Sequence, residues 1–237
     1  MKNKMNLNRA CRYYLLRDMD VVLSIIGFVL FIIGFNYLLY RGVFNSRGDG
    51  FIILVTYTMM IGFYMILSNS MVVNLTVKDK LNKRIEFVLA SGVSIKDLVK
   101  AYTIEMWRIS SIAPFLLFYS TYVLYDFNTH FKYIGAIFVT TILMLYFVVL
   151  SLNIFSLYRK NFKFFKNSLF FFTTFMIYMV GNFSDEILNF INGFGIDIIG
   201  LIISVNFVLL FGFAGFSIIS LRRMSNESVI TREGTWS

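Results

Sequence analysis

The chain has 237 residues, of which 58% are hydrophobic and only 15% charged, with a net charge of +9 and a mean hydropathy of +0.72. Soluble domains carry nearer about a quarter charged residues, so this composition excludes an ordinary water-soluble fold. The 28 Phe and 14 Tyr suit helices that face lipid, and a single Pro suits long uninterrupted helices rather than turn-rich β architecture.

The chain opens with residues 1–20, a basic segment. On a helical wheel over 5–20, Leu7, Ala10, Cys11, Tyr14 and Leu15 fall on one side, and Arg9, Arg12, Arg17 and Asp20 on the other. Such a helix is expected to lie in the membrane interface, with Arg9, Arg12, Tyr14 and Arg17 as its interface residues. Cys11 stands alone, so no disulfide framework and no Cys-rich metal motif is expected, and its role is that of a small packing residue. A cleavable signal peptide is not expected either, because the first apolar run follows a long charged segment and is too long for an h-region.

Six stretches then have the length needed to cross a hydrocarbon core of roughly 30 Å. They are 21–40, 51–73, 109–125, 133–157, 168–183 and 198–221, and each lacks Lys, Arg, Asp, Glu and His. Lys and Arg concentrate in alternate connections: residues 1–20, 74–108, 158–167 and the tail 222–237 hold 19 of the 22. The other connections hold Arg41, Arg47 and Lys132 alone. Because positively charged loops stay inside, both termini are expected in the cytoplasm. The +9 charge then reports membrane topology and not nucleic-acid binding.

Two connections carry more than a turn. Residues 74–108 form the longest, and Leu81, Ile85, Val88 and Leu89 recur at the spacing of one helical face, with Lys80, Lys83, Arg84 and Glu86 largely off it. Gly92 supplies a stop, and Ser94 with Asp97 resembles a capping box opening a second helix through Leu98, Val99, Tyr102 and Met106. Residues 184–197 are too apolar for a solvated loop, which suggests a short outer segment dipping into the interface, with Gly193 and Gly195 as its turn.

Catalytic chemistry is missing from this inventory. The single His130 lies in an expected outer loop, which leaves no His-ligated metal cluster and no buried Ser–His pair. Polar groups inside the spans are Asn36, Asn153, Asn206, Thr56, Thr58 and a few Ser and Tyr, residues suited to interhelical hydrogen bonds. The absence of Lys, Arg, Asp, Glu and His from the spans argues against ion coupling, voltage sensing and an intramembrane enzyme. The phosphate-binding signature G-x-x-x-x-G-K-[ST] is absent, so any uphill transport must draw energy from a separate chain.

The run KLNKRIEFVLASGVS (80–94), followed by IKDLVKAY (95–102), resembles the connection between spans two and three of type-2 ABC exporter permeases. In that family a charged helix, a turn and a helix leading into the third span stand there; Gly92 occupies a place where the family often has Pro. The charged ending from Leu221 to Ile230 and the layout of six spans resemble the same family over nearly the whole chain.

The resemblance implies an all-α, polytopic permease subunit of the bacterial cell membrane that works with a second permease chain, identical or not. A separate ABC ATPase would bind ATP and Mg, and this chain would bind no cofactor. It also implies that Lys80 to Ala90 is a coupling helix in a groove of the ATPase, contacted through Lys80, Leu81, Lys83, Arg84, Ile85, Glu86 and Leu89. Leu81, Ile85 and Leu89 would be its apolar anchors. Apolar spans and short outer loops suit export of an amphipathic or hydrophobic cargo such as a peptide, drug or lipid. The alternative expectation is a membrane immunity or scaffold protein that binds a toxin or membrane partner and transports nothing.

Overall fold

A computed structural model describes residues 2–158 and 162–230, and among the described residues every regular element is helical. Arg159, Lys160, Arg232 and the rest of the tail end 231–237 lie outside the described residues. Among the described residues, four helical runs are long and apolar enough to cross a membrane: Met19–Gly42 (α2), Asp49–Leu81, Phe131–Tyr158 (α8) and Ile198–Arg223 (α10). They cover the first, second, fourth and sixth expected stretches.

Local chemistry sets most of the boundaries. Helix α1 (Lys2–Arg17) ends just before Asp18, whose carboxylate caps α2 by accepting the Asp20 amide at 3.1 Å. The long second run comprises α3 (Asp49–Val72), a wider π turn over Val73–Val77, and α4 (Lys78–Leu81). There the chain departs from expectation. A single helix from Lys80 to Ala90 does not form, because Lys83 adopts a left-handed backbone (φ 56°) and α5 starts afresh at Arg84–Ala90. A left-handed residue is a common helix terminator, and it puts Leu81 on a different helix from Ile85 and Leu89.

Gly92 (φ 88°) makes the following turn, and Ser94 opens α6 (Ile95–Ser110) by accepting the Asp97 amide at 3.1 Å. The Ser94 hydroxyl in turn donates to the Asp97 carboxylate at 2.8 Å, so the capping box is reciprocal at the side-chain level. The expected third stretch is divided between α6 and α7 (Ile112–Leu124), which meet at Ser111. Pro114 explains the break: it has no N–H for the carbonyl of Ser110, and its ring crowds that carbonyl. Alone, α7 is roughly 20 Å long, short of a full crossing.

Helix α9 (Phe162–Gly193) runs through both the expected fifth stretch and most of the outer segment, and kinks where they join, at Phe183 (φ −113°, ψ 19°). Gly195 (φ 68°) supplies the turn into α10. A last short helix, α11 (Asn226–Ile230), tucks Val229 against the core.

Helix α3 is the centre of the molecule, with α7, α8 and α9 packed around it, while α10 lies against α8 and α2 against α7. Sixty-seven percent of the apolar window of Asp49–Leu81 is buried, against 11% for α10. Where water is absent, apolar burial drives helix association little, and close packing with polar bridges matters more. Gly62 supplies the close packing: a Cβ there would meet Ile177 Cδ1 of α9 at 2.4 Å.

Three buried asparagines supply the bridges. Asn36 donates to Ser120 of α7 at 2.6 Å and accepts from Thr121 at 3.2 Å. Asn153 accepts from Thr76 at 2.5 Å and donates to Thr103 of α6 at 3.2 Å. Asn206 accepts from Tyr57 of α3 at 2.8 Å and donates to Thr140 and Thr141 of α8, each at 3.0 Å. The interhelical role expected of these asparagines is what they perform. Thr58 instead bonds its own helix at Leu54, and Thr56 has no hydrogen-bond partner among the described residues.

Candidate functional site

At one end of the bundle α1, α4, α5 and α6 converge, and two carboxylates are buried there. Glu105 of α6 is 1% exposed and Asp79 of α4 is 5% exposed. A buried carboxylate is costly unless charge and hydrogen bonds compensate it. Both are compensated from sequence-distant elements.

Arg12 of α1 grips Glu105 with two prongs, Nε to Oε2 at 2.7 Å and Nη2 to Oε1 at 3.2 Å, and Arg108 adds a third contact at 3.4 Å. Asp79 accepts hydrogen bonds from the hydroxyls of Tyr102 at 2.7 Å and Tyr14 at 3.3 Å. Arg84 of α5 reaches Asp79 at 3.6 Å, donates to the Tyr14 hydroxyl, and lies over the Tyr14 ring. Tyr14 is therefore clamped between α4 and α5.

Further bonds seal the same end. Lys80 donates to the carbonyl of Leu157 near the end of α8, where a cation also complements the helix dipole. Lys78 pairs with Asp18 at 3.2 Å. Asn226 of α11 accepts the free Ile95 amide at 2.9 Å, an N-terminal donor of α6 that the helix itself cannot satisfy. Between α1 and α4–α6 lies a cleft of about 240 Å³, with Cys11, Tyr14, Asp79, Arg84, Val88 and Tyr102 among its walls. Burial first, and then the charges of Glu105 and Asp79, push the Cys11 thiol up to about 12, so it stays protonated and unreactive.

The expected contact residues divide into two groups. Lys83 and Arg84 are exposed, Leu81 is exposed on the preceding helix, and Glu86 is half-buried. Ile85 and Leu89 are 3% and 6% exposed, committed to the chain's own core, where each contributes about 1.5–3 kcal/mol. The expectation that these two anchor a partner's groove is therefore corrected: their face of α5 points inward. On α1, Arg9 and Arg17 are exposed, Tyr14 is half-buried and Arg12 turns toward Glu105, so Arg12 braces α6 as well as flanking the interface.

Phe87, absent from the expected set, is 76% exposed on the outward side of α5, two residues from each buried anchor. Its signal was in the pattern: if Ile85 and Leu89 share the inner face, Phe87 must lie off it. Glu105 was legible in the same way, three residues after Tyr102 and one before Met106 on the buried face of α6. Asp79 was not, since its burial depends on tyrosines from α1 and α6.

Among the described residues no three His, Cys, Asp or Glu side chains come together as a metal site. Most charges of this cluster are paired with one another, so the arrangement ties elements together, while Lys83 and Phe87 stand exposed on the outer side of α5. No family model, curated protein or solved structure matches the chain.

Proposed function

We propose that the chain is the membrane-spanning subunit of an ATP-driven exporter in a bacterial cell membrane. It works as one of two permease chains and is driven by a separate ATPase that binds ATP and Mg. The supporting observation is the two-sided character of α5. Its outward side offers an exposed aromatic, Phe87, with the exposed Lys83 one turn before it. Its inward side is fastened through Ile85 and Leu89 to the core and through Arg84 to Asp79 and Tyr14.

A push on such a helix is not absorbed locally. Asp79 belongs to the same helical run as α3, and Tyr102 to α6, so displacement of α5 passes to the central helix and to the helix leading into α7. In this reading α6–α7 and α9 join the four long apolar runs to complete six crossings. The end holding α1, α5 and α11 faces the cytoplasm, a placement that the Lys and Arg distribution supports. The cargo is amphipathic or hydrophobic, matching expected spans that carry no Lys, Arg, Asp, Glu or His.

The test is to purify the tagged chain in mild detergent from its own cells and to measure co-purifying Mg-dependent ATP hydrolysis. Phe87→Asp and Lys83→Glu are expected to lose the ATPase while leaving the chain monodisperse. Wild-type chain that carries no ATPase in any lipid or detergent tried would remove the energy source and end this reading.

A further inference from the structure

A second opening lies away from the charged end, halfway along the bundle. A cleft of about 370 Å³ lies among α3, α8, α9 and α10. Helices α3 and α8 make its floor, with Met65, Met144 and Val148, and α9 and α10 make its sides, with Phe172, Val205 and Leu209. Because α9 packs on α3 and α10 on α8, while α9 and α10 barely touch one another, the cleft opens sideways between the last two. Phe172, Val205 and Leu209 at its mouth are exposed, whereas Met144 and Val148 at its base are buried.

We infer that this cleft is a binding site for one acyl chain of a membrane phospholipid. Its lining residues fall in the middle of three helices long and apolar enough to cross a membrane, which sets the cleft at the depth of lipid tails. The walls make few demands for polar partners: Tyr57 donates its hydroxyl to Asn206 and Thr58 to Leu54. Water needs two to four polar partners and gains too few here, so hydrocarbon is the favoured filler. Width decides against a second copy of the chain, since a helix with its side chains is about 10–12 Å across and needs far more room than this. The volume sits near the lower end of the range for small-molecule sites, roughly 300–1,000 Å³, and suits a single flexible chain. Two methionines at the base adapt to such a ligand, their thioethers being flexible and polarisable.

The site belongs to the chain alone, and it stands or falls independently of any ATPase. The experiment reconstitutes the purified chain, without nucleotide, in vesicles of phosphatidylcholine doped with a phosphatidylcholine carrying a mid-chain diazirine. After photolysis, adducts are mapped residue by residue. Met71 is the internal control, because it is as buried as Met144 but lines no part of the cleft. Met144 and Val148 are expected to be labelled at least fivefold above Met71. Filling the cleft by Val205→Trp, or at its rim by Leu209→Trp, is expected to abolish that excess, with labelling of the outward Leu30 of α2 unchanged. Equal labelling of Met144 and Met71 in the wild type would overturn the site. So would an excess that survives both filling variants. So would labelling that appears only when the chain is diluted in lipid, because a second copy would then be the occupant.

Discussion

Arg12 and Glu105 stand 93 positions apart in the chain, yet the guanidinium Nε lies 2.7 Å from the carboxylate, with the second prong at 3.2 Å. The pair fastens the first helix, α1, to the inner face of α6. One partner is half in water and the other is buried, and that asymmetry decides what removing either does.

Replacing Arg12 with Ala leaves the buried Glu105 carboxylate with Arg108 as its remaining cation. Loss of one partner of a fully buried pair costs about 3–5 kcal/mol. Because Arg12 is 45% exposed and Arg108 remains, the expected loss is well below that of a fully buried pair. Thermal unfolding in detergent should show it. The double change Arg12→Met/Glu105→Met should recover most of the loss, since no charge is then left buried.

Cys11 is the sole cysteine, so its reactivity is read without background. With its thiol raised from 9.0 to about 12, the folded chain holds on the order of 1,000-fold less thiolate at pH 8 than the unfolded chain. Maleimide labelling at pH 8 should therefore be slow in the native protein and become complete on unfolding. Arg12→Ala, by loosening α1, should speed native labelling.

The two sides of α5 should separate cleanly by mutation. Leu89→Ala opens a cavity in the core and is expected to cost about 2–5 kcal/mol. Phe87→Asp alters an exposed position and should stay within about 0.5 kcal/mol of wild type. Comparing melting curves of the two variants checks the assignment of faces without reference to any partner.

Asn206 joins three helices through two side-chain atoms, Oδ1 accepting from Tyr57 and Nδ2 donating to Thr140 and Thr141. Changing it to Leu strands the Tyr57 hydroxyl and removes the bonds that Thr140 and Thr141 accept, and the expected cost is about 0.6–2 kcal/mol per lost bridge. A lowered unfolding temperature in detergent, with the oligomeric state unchanged on size-exclusion chromatography, is the expected result. Unaltered stability would mean that close packing alone holds α10 against α8.

Much of the architecture was legible locally. The apolar runs of α2, α3, α8 and α10, the Ser94–Asp97 cap and the turns at Gly92 and Gly195 each depend on residues within a few positions of one another. Even the kink at Phe183 falls where the apolar stretch meets the outer segment. The sequence was less informative where one local rule met another. A helical face drawn through Leu81, Ile85 and Leu89 overlooked the left-handed turn at Lys83, and a span drawn over 109–125 overlooked what Pro114 does to Ser110.

What the amino-acid order determined by itself is a set of helices, most of them apolar, with cations gathered in alternate connections, because hydropathy, capping and charge are properties of short stretches. Only the tertiary structure decided which side of each helix is inside. Ile85 and Leu89 look like exposed anchors until the core covers them. Asp79 and Glu105 look like surface charges until Tyr14, Tyr102, Arg84 and Arg12 arrive from elsewhere in the chain. Burial is conferred by neighbours distant in sequence, and a buried charge persists only where such neighbours bring its counter-charge.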